Sequence, residues 1–281
     1  MKHLRLLLWL PAAALLFACG QETYPPIVET PTYTYRPGQF VWHELGTTDL
    51  DASKRFYGEL FGWEFDDTDL GGAMYSLITQ GGKNIGGMIY SPGTSKSGWV
   101  GAISVEDTKS SADFLSSNGA KSLIGSSQLP GRGSMALMQD SQDAMIALVH
   151  SNIGDPELQE PMTYGWLWME LWSENPEDAA AFYSRIFGYD VEEREVEGKP
   201  YWLFSKNEVP VGGISRNPVK NMKSQWVPYI KVSDPVRMAD RARELGANIL
   251  LSPSSNIRQG SVAIIADPNG AIFCMQKWPI N

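Results

Sequence analysis

The sequence contains one long stretch twice: residues 56–65 read FYGELFGWEF, and residues 182–191 read FYSRIFGYDV. The offset is 126 residues (182 − 56), and the same offset relates Trp42 to Trp168. A period of this length is too long for the turn of a solenoid, whose repeats are a few tens of residues. The repeat therefore indicates a duplicated domain.

Length and composition place the chain among globular proteins. The 281 residues leave room for two domains, and a content of 43% hydrophobic and 20% charged residues is typical of a packed core. The formal net charge is −9. A partner with a phosphate backbone needs a basic patch, and the sequence has no stripe of Lys and Arg. The composition thus argues against a nucleic-acid-binding function.

Residues 1–18 are predicted to be a signal peptide. Lys2 and Arg5 precede an apolar stretch, residues 6–17, that is too short to span a bilayer. The next residues, 16–19, read Leu-Phe-Ala-Cys and resemble a bacterial lipobox, which implies cleavage before Cys19 and lipid attachment to it. The alternative is an ordinary signal peptide in which Cys19 occurs by chance. The lipobox predicts a membrane-anchored lipoprotein on the periplasmic side or at the cell surface.

Cysteine usage agrees with this interpretation, because the chain has only Cys19 and Cys274. If Cys19 carries lipid, no internal disulfide is possible, and Cys274 is predicted to be a small apolar core residue. Residues 19–39 contain four prolines. Such chain is extended, so we predict a lipidated tether without a packed core.

Each copy is predicted to contain two βαβββ units, with one domain at 40–150, a linker at 151–164 and a second domain at 165–281. In the first copy, Asp49 is placed to cap a helix that ends at Gly62. In the second copy, Asn175 precedes Pro176, which is the expected order of an N-cap and a first helical residue. Helical spacing predicts that Phe182, Tyr183 and Ile186 are core residues.

These units, the spacing from Asp49 to Phe56 and Tyr57, and the closing Asp-Pro-Asn-Gly turn at 267–270 resemble the vicinal oxygen chelate superfamily. That superfamily includes glyoxalase I, extradiol dioxygenases and bleomycin-resistance proteins. The resemblance covers residues 40–279 and is greatest for the two-domain branch. It implies an α+β fold of two tandem domains, each with a cupped mixed sheet and with helices outside the cup.

The resemblance also implies where metal ligands would lie, on the first and last strands of each unit. The corresponding residues here are Trp42, Gly87, Val100, Ala147, Trp168, Gly213, Val227 and Cys274. Only Cys274 is a metal-donor type, and a divalent ion needs three or four donors. His43 and His150 alternate away from the cup-facing positions. The sequence therefore predicts no metal, no cofactor and no catalytic residue.

Glu44 and Glu170 follow Trp42 and Trp168 by two residues, so all four side chains are predicted to point into the cups. A carboxylate and an indole on one wall suit a polar or cationic small molecule. The four residues are the predicted ligand pocket. The structural alternative is that each Glu pairs with a Trp N–H or with an arginine, for which the candidates are Arg132 and Arg258.

Two function classes remain open. The first is a metal-free module that binds or sequesters a small molecule. The second is an enzyme, either of the glyoxalase or dioxygenase type with displaced metal ligands or a hydroxylase-like catalyst that uses Glu44 or Glu170. The missing ligands favour the first. The predicted partners are a small-molecule ligand and, through the lipid alone, a membrane.

Overall fold

The computed structural model describes residues 23–92, 96–219 and 222–279. The predicted signal peptide and Cys19 lie outside these residues. Within them, no helix is long and apolar enough to cross a membrane.

Two eight-stranded mixed sheets, one in each copy of the repeat, form the framework. The first has the order β2-β3-β4-β1-β5-β8-β7-β6, and the second has the equivalent order β10-β11-β12-β9-β13-β16-β15-β14. The predicted α+β fold of two tandem domains is confirmed. The strands are β1 (Phe40–Thr47), β2 (Glu64–Asp69), β3 (Met74–Gln80), β4 (Lys83–Tyr90), β5 (Gly98–Ser104), β6 (Lys121–Leu129), β7 (Gly133–Gln139), β8 (Met145–Ser151), β9 (Trp166–Ser173), β10 (Asp190–Val196), β11 (Lys199–Lys206), β12 (Val209–Arg216), β13 (Gln225–Val232), β14 (Asn248–Leu251), β15 (Val262–Ala266) and β16 (Ile272–Lys277).

Four helices connect these strands: α1 (Leu50–Phe61), α2 (Thr108–Ser117), α3 (Pro176–Phe187) and α4 (Pro235–Glu244). As predicted, Asp49 caps α1 by accepting a hydrogen bond from the Ala52 N–H, and Gly62 ends it in the left-handed region with φ 71°. The prediction for Asn175 is wrong in one respect. Its side chain makes no cap bond to α3 and donates instead to the carboxylate of Asp178.

The helices lie outside the cups, where the two copies share their cores. Residues of α1 and α4 belong to one apolar cluster, in which Phe56 and Phe273 lie 6.3 Å apart. Residues of α2 and α3 belong to the other, together with strands of both sheets. Neither copy therefore buries its helix-bearing face alone.

Two buried hydrogen-bond chains join the copies. In one, the Trp99 indole N–H donates to the Tyr57 hydroxyl at 2.8 Å, and that hydroxyl donates to Asp267 of the other copy at 3.1 Å. The equivalent chain joins Trp226, Tyr183 and Asp140, at 2.8 and 2.9 Å. The tyrosine of each Phe-Tyr motif is thus a core residue, as predicted for Tyr183, and it also bonds across the domain interface.

Residues 24–28, which we call the N-terminal segment, correct the prediction of a tether without packing. Ile27 and Val28 are buried in the apolar cluster of the first sheet. The Tyr24 N–H donates to the Pro130 carbonyl at 2.7 Å. The segment forms neither helix nor strand, but two apolar residues gain enough burial to hold it against the domain.

Candidate functional site

Each sheet has one face without helices, and we call these faces cup 1 and cup 2. In cup 1, the Trp42 indole N–H donates to Glu44 at 2.6 Å, and Arg132 lies 3.4 Å from the same carboxylate oxygen. Arg132 also donates to the Tyr75 hydroxyl at 2.7 Å. The predicted pair Trp42 and Glu44 therefore lies in the cup as part of a quartet with an arginine and a tyrosine.

The arginine of cup 1 is enclosed by aromatic rings. Its guanidinium carbon lies 5.0 Å from the Trp42 ring centre and 4.8 Å from that of Tyr75. Burial alone would lower the pKa of Arg132, but Tyr75 and Glu44 raise that pKa on balance. Arg132 therefore stays charged and acts as the counter-ion of Glu44.

Cup 2 repeats this quartet with one change. Arg258 donates to Glu170 at 2.7 Å, and Trp168 donates to the Tyr201 hydroxyl at 2.9 Å. The indole that donates to Glu170 is that of Trp172, at 3.2 Å. Trp168 therefore bonds to the tyrosine and not to Glu170, unlike Trp42 in cup 1.

Tyr75 and Tyr201 were missed by the sequence prediction, although the offset between them is again 126 (201 − 75). A Cβ atom at Gly87 would lie 1.7 Å from the Tyr75 hydroxyl oxygen, and one at Gly213 would lie 1.9 Å from that of Tyr201. Each glycine therefore makes room for a tyrosine hydroxyl beside a glutamate. The repetition of both the tyrosine and the glycine at the same offset could have identified these tyrosines from the sequence.

The register of the strands corrects the predicted set of cup positions. Glu44, and not Trp42, lies opposite both Gly87 and Val100. Trp42 lies one row away, opposite Ala102, which in turn pairs with Ala147. A register shift between Phe40 and Trp42 accompanies this arrangement. In each cup, one carboxylate therefore lies directly opposite two of the expected metal-ligand positions on the neighbouring strands. Glu170 lies opposite Gly213 and Val227 in the same way.

The two histidines lie outside the cups. His43 stacks on Trp166 of the second copy, with ring centres 4.0 Å apart. The His150 ring lies 5.0 Å from that of Tyr35, and its Nδ1 is 3.0 Å from the Val105 carbonyl oxygen. Strand alternation predicted both placements correctly. Cys274 is buried in cup 2, and burial raises the pKa of its thiol, so it is a protonated core residue as predicted.

The two cups are covered by different parts of the chain. The N-terminal segment lies over cup 1, where Arg132 donates to the Pro25 carbonyl at 2.8 Å. In cup 1 Trp42 is buried, while the Glu44 side chain is 17% exposed. In cup 2 the Glu170 side chain is only 2% exposed, while Trp168 is half-buried. Each cup thus leaves a different predicted residue partly accessible.

Family models and a full-length relative identify the family. A model of the bleomycin resistance protein-like N-terminal domain matches residues 39–76, and a glyoxalase-like domain model matches residues 168–276. The chain is 30% identical over 252 residues to a Mycobacterium tuberculosis protein called "Putative glyoxylase CFP32", covering 86% of this chain and 96% of the relative. The chain belongs to the vicinal oxygen chelate superfamily.

Another relative and two solved structures resemble most of the chain. The anthracycline biosynthesis protein DnrV of Streptomyces peucetius is 25% identical over 258 residues, covering 85% of this chain and 93% of that protein. The Mn(II)-bound glyoxalase of Novosphingobium aromaticivorans has a TM-score of 0.59 at 15% identity, covering 86% and 82% of the two chains. The 2,3-dioxygenase LapB of Pseudomonas sp. KL28 has a TM-score of 0.58 at 14% identity, covering 86% and 93%. The solved structures share the fold.

The side chains of the cups do not fit the metal that this superfamily implies. Among residues 23–92, 96–219 and 222–279, no three His, Cys, Asp or Glu side chains lie close enough to hold an ion. Glu44 is the carboxylate of cup 1, and its counter-ion is already Arg132. Glu170 and Cys274 are the corresponding groups of cup 2, but the thiol is protonated. A divalent ion would need three or four free donors in a fixed geometry.

Proposed function

We propose that this protein is a lipid-anchored module that binds a small molecule in its cups without a metal ion. The observation that supports the proposal is the quartet of Trp, Glu, Arg and Tyr, which occurs in both cups and leaves one predicted residue of each within reach. Such a polar group on an otherwise apolar wall is typical of small-molecule sites. The quartet also contains the contacts expected if each glutamate serves only the fold, namely bonds from a Trp N–H and from an arginine. Binding is therefore tested directly.

The ion pairs favour an uncharged ligand. Arg132 and Arg258 compensate the charges of Glu44 and Glu170. A cationic ligand would have to compete with these guanidinium groups, whereas a hydroxyl-bearing neutral molecule adds a hydrogen bond to the free lone pairs of a carboxylate. We therefore propose a polar, uncharged ligand that contacts Glu44 in cup 1 and stacks on Trp168 in cup 2.

Native mass spectrometry of the protein after incubation with a cell extract tests this proposal. Wild-type protein should retain a small molecule, and Glu44→Gln should weaken that binding by about 1.5–3 kcal/mol, the usual value of a hydrogen bond to a charged group. The matched control is Glu59→Gln, on the exposed surface of α1. Equal retention by wild-type and Glu44→Gln protein would contradict a ligand contact at Glu44.

A second candidate function is catalysis by Glu44 or Glu170 acting as a general base. The 30% identical relative, which is named a putative glyoxylase, favours it. In both cups, however, the carboxylate already accepts hydrogen bonds from an indole and an arginine, and these fixed donors restrict the approach of a substrate to its oxygen atoms. The same mass spectrometry distinguishes the candidates, because a bound molecule that leaves with a changed mass indicates an enzyme.

The location proposal rests on residues 16–19, which resemble a lipobox. Replacing Cys19 removes the only thiol that the lipid could modify at this position. Cys19→Ala should therefore move the protein from the membrane fraction to the soluble fraction, as measured by cell fractionation. Cys274→Ala is the matched control and should stay with the membrane. A membrane-bound Cys19→Ala protein would contradict the lipid anchor.

A further inference from the structure

A cavity of about 370 Å³ lies between the two copies, away from the carboxylates of the cups. The first residues of β1 and β9 line it, and the connecting segment 156–162 forms one wall. We call it the axial cavity. Its volume lies within the range of small-molecule sites.

The axial cavity is built from equivalent positions of the two copies. Lining residues pair at the offset of 126, as His43 with Met169 (169 − 43) shows. Phe40 pairs in the same way with Trp166, and Asn84 with Pro210. The cavity therefore surrounds the approximate twofold axis of the duplication.

The two halves of this cavity differ in polarity. On the first copy, His43 is 6% exposed and Gln80 is 8% exposed, and both line the cavity. His43 Nε2 and Gln80 Oε1 are buried atoms without a hydrogen-bond partner. A buried polar atom without a partner costs about 1–3 kcal/mol. Both residues line one cavity, where a bound molecule would supply the missing hydrogen bonds.

The internal repeat shows that the scaffold does not require a polar residue at this place. Met169 is the counterpart of His43, and it is buried in a well-packed apolar cluster. Lys206 is the counterpart of Gln80 (206 − 80) and does not line the cavity. His43 and Gln80 thus impose a cost that the second copy avoids, which points to a role in binding rather than in folding.

The two atoms without a hydrogen-bond partner indicate which chemical groups a ligand of this cavity would need. Gln80 donates through Nε2 to the Thr163 carbonyl at 2.7 Å, so its free Oε1 is an acceptor. Burial lowers the pKa of His43 to about 3, so the imidazole is neutral at physiological pH. The ring of His43 is itself stacked on Trp166 at an interplanar angle of 17°. A flat, neutral molecule with a hydroxyl or N–H donor meets these conditions.

We propose that the axial cavity is a second binding site, apart from the carboxylates of the cups, for a small planar neutral molecule that donates a hydrogen bond to His43 or Gln80. Aromatic rings of Phe40 and Trp166 supply the apolar walls, and the first copy supplies the polar contact. Segment 156–162 closes one side and is attached through Lys83, which donates to Gln159 at 2.6 Å.

Two probes of the same ring system test this site: 2-naphthol, which has a hydroxyl donor, and 2-methoxynaphthalene, which does not. Calorimetric titration of the full mature chain should show that 2-naphthol binds about three- to tenfold more tightly, the value of one neutral hydrogen bond. His43→Met introduces the residue that the second copy has at the equivalent position, Met169. In this variant the two probes should bind within about twofold of each other, which is the lower limit for the value of one hydrogen bond. His43→Met should also be at least as stable to urea as wild type.

Gln80→Met is the second variant and should also reduce the preference, and Lys206→Met is its matched control and should retain it. Failure of wild type to bind 2-naphthol would overturn the proposal, as would equal binding of the two probes. Full retention of the preference in both His43→Met and Gln80→Met would overturn it too. A loss of stability in His43→Met would assign that residue to the fold instead.

Discussion

Cup 1 and cup 2 contain the same four residue types, yet they expose different members of the set. In cup 1 the N-terminal segment covers Trp42, and Glu44 stays 17% exposed. In cup 2 Glu170 is 2% exposed, and Trp168 is half-buried. The duplicated strands therefore fix where the quartet lies, whereas the elements added around each sheet decide which residue a ligand can reach.

The largest expected difference between the cups follows removal of the arginine. Arg258→Met leaves Glu170 as a charge that water cannot reach, so it should lower the free energy of unfolding by about 3–5 kcal/mol. Arg132→Met leaves Glu44, which water reaches in part, and should cost about half as much although Arg132 is the more buried arginine. Urea denaturation measures both values.

The double variant Arg258→Met with Glu170→Leu is the control for this experiment. It removes both charges together and should recover most of the lost stability. Equal losses in the two single variants would show that exposure of the remaining carboxylate does not distinguish the cups.

Acid should destabilise the first copy through His43, which has no titratable counterpart at Met169. The pKa of His43 is about 3 in the folded protein, against an ordinary value of 6.5. Stability from the neutral imidazole is complete above pH 6.5 and is lost as the pH falls towards 3. From pH 7 to 4.5 the loss should be about 2.5 kcal/mol, at 1.36 kcal/mol per pH unit.

Urea denaturation of wild type and His43→Met at both pH values checks this expectation. The variant should lose less stability on acidification by that amount, because all other titrating groups are common to the two proteins. A parallel loss in both proteins would mean that His43 is not buried as the structure has it.

The interdomain hydrogen-bond chains should contribute equally in the two copies. Tyr57→Phe removes the donor to Asp267, and Tyr183→Phe removes the donor to Asp140. Each should cost about 1–3 kcal/mol, because a buried carboxyl oxygen loses its partner. Thermal unfolding of the two variants should give matching decreases. A clear difference between them would show that the approximate symmetry does not extend to the energetics of the interface.

The smallest global effect is expected at the N-terminal segment. Ile27→Ala removes a fully buried side chain from above cup 1. Because the segment has no strand partner in a sheet, it can detach locally, and the global free energy of unfolding should fall by less than about 1 kcal/mol. Hydrogen exchange should accelerate at residues 24–28 and remain unchanged in the second sheet. Uniform acceleration would mean that the segment stabilises the whole fold.

Much of this architecture was predictable from the sequence. The repeat, the helix signals at Asp49 and Gly62, and the alternation that points Glu44 inward and His43 outward were sufficient for the fold and for the placement of the cup residues. They depend on local spacing, which the sequence displays directly. The pairing candidates Arg132 and Arg258 were also identified, since each lies before the penultimate strand of its copy.

Other features depended on contacts that spacing does not reveal. Proline content predicted an extended segment but not that Ile27 would pack against cup 1. Strand period placed Trp168 correctly but could not show that Trp172 donates to Glu170 in its stead. Helical periodicity identified Tyr183 as buried without showing that its partner Asp140 belongs to the other copy. Each miss concerns long-range packing and not local structure.

Elemental analysis tests metal-free binding in the cups most directly. The protein should be purified without chelators, dialysed against Zn, Ni, Fe and Mn salts and then against buffer, and analysed beside Glu44→Gln and Glu170→Gln. We predict far less than one metal ion per chain in all three proteins, because neither cup provides three free donors. A stoichiometric metal in wild type that is lost in either glutamine variant would contradict the account.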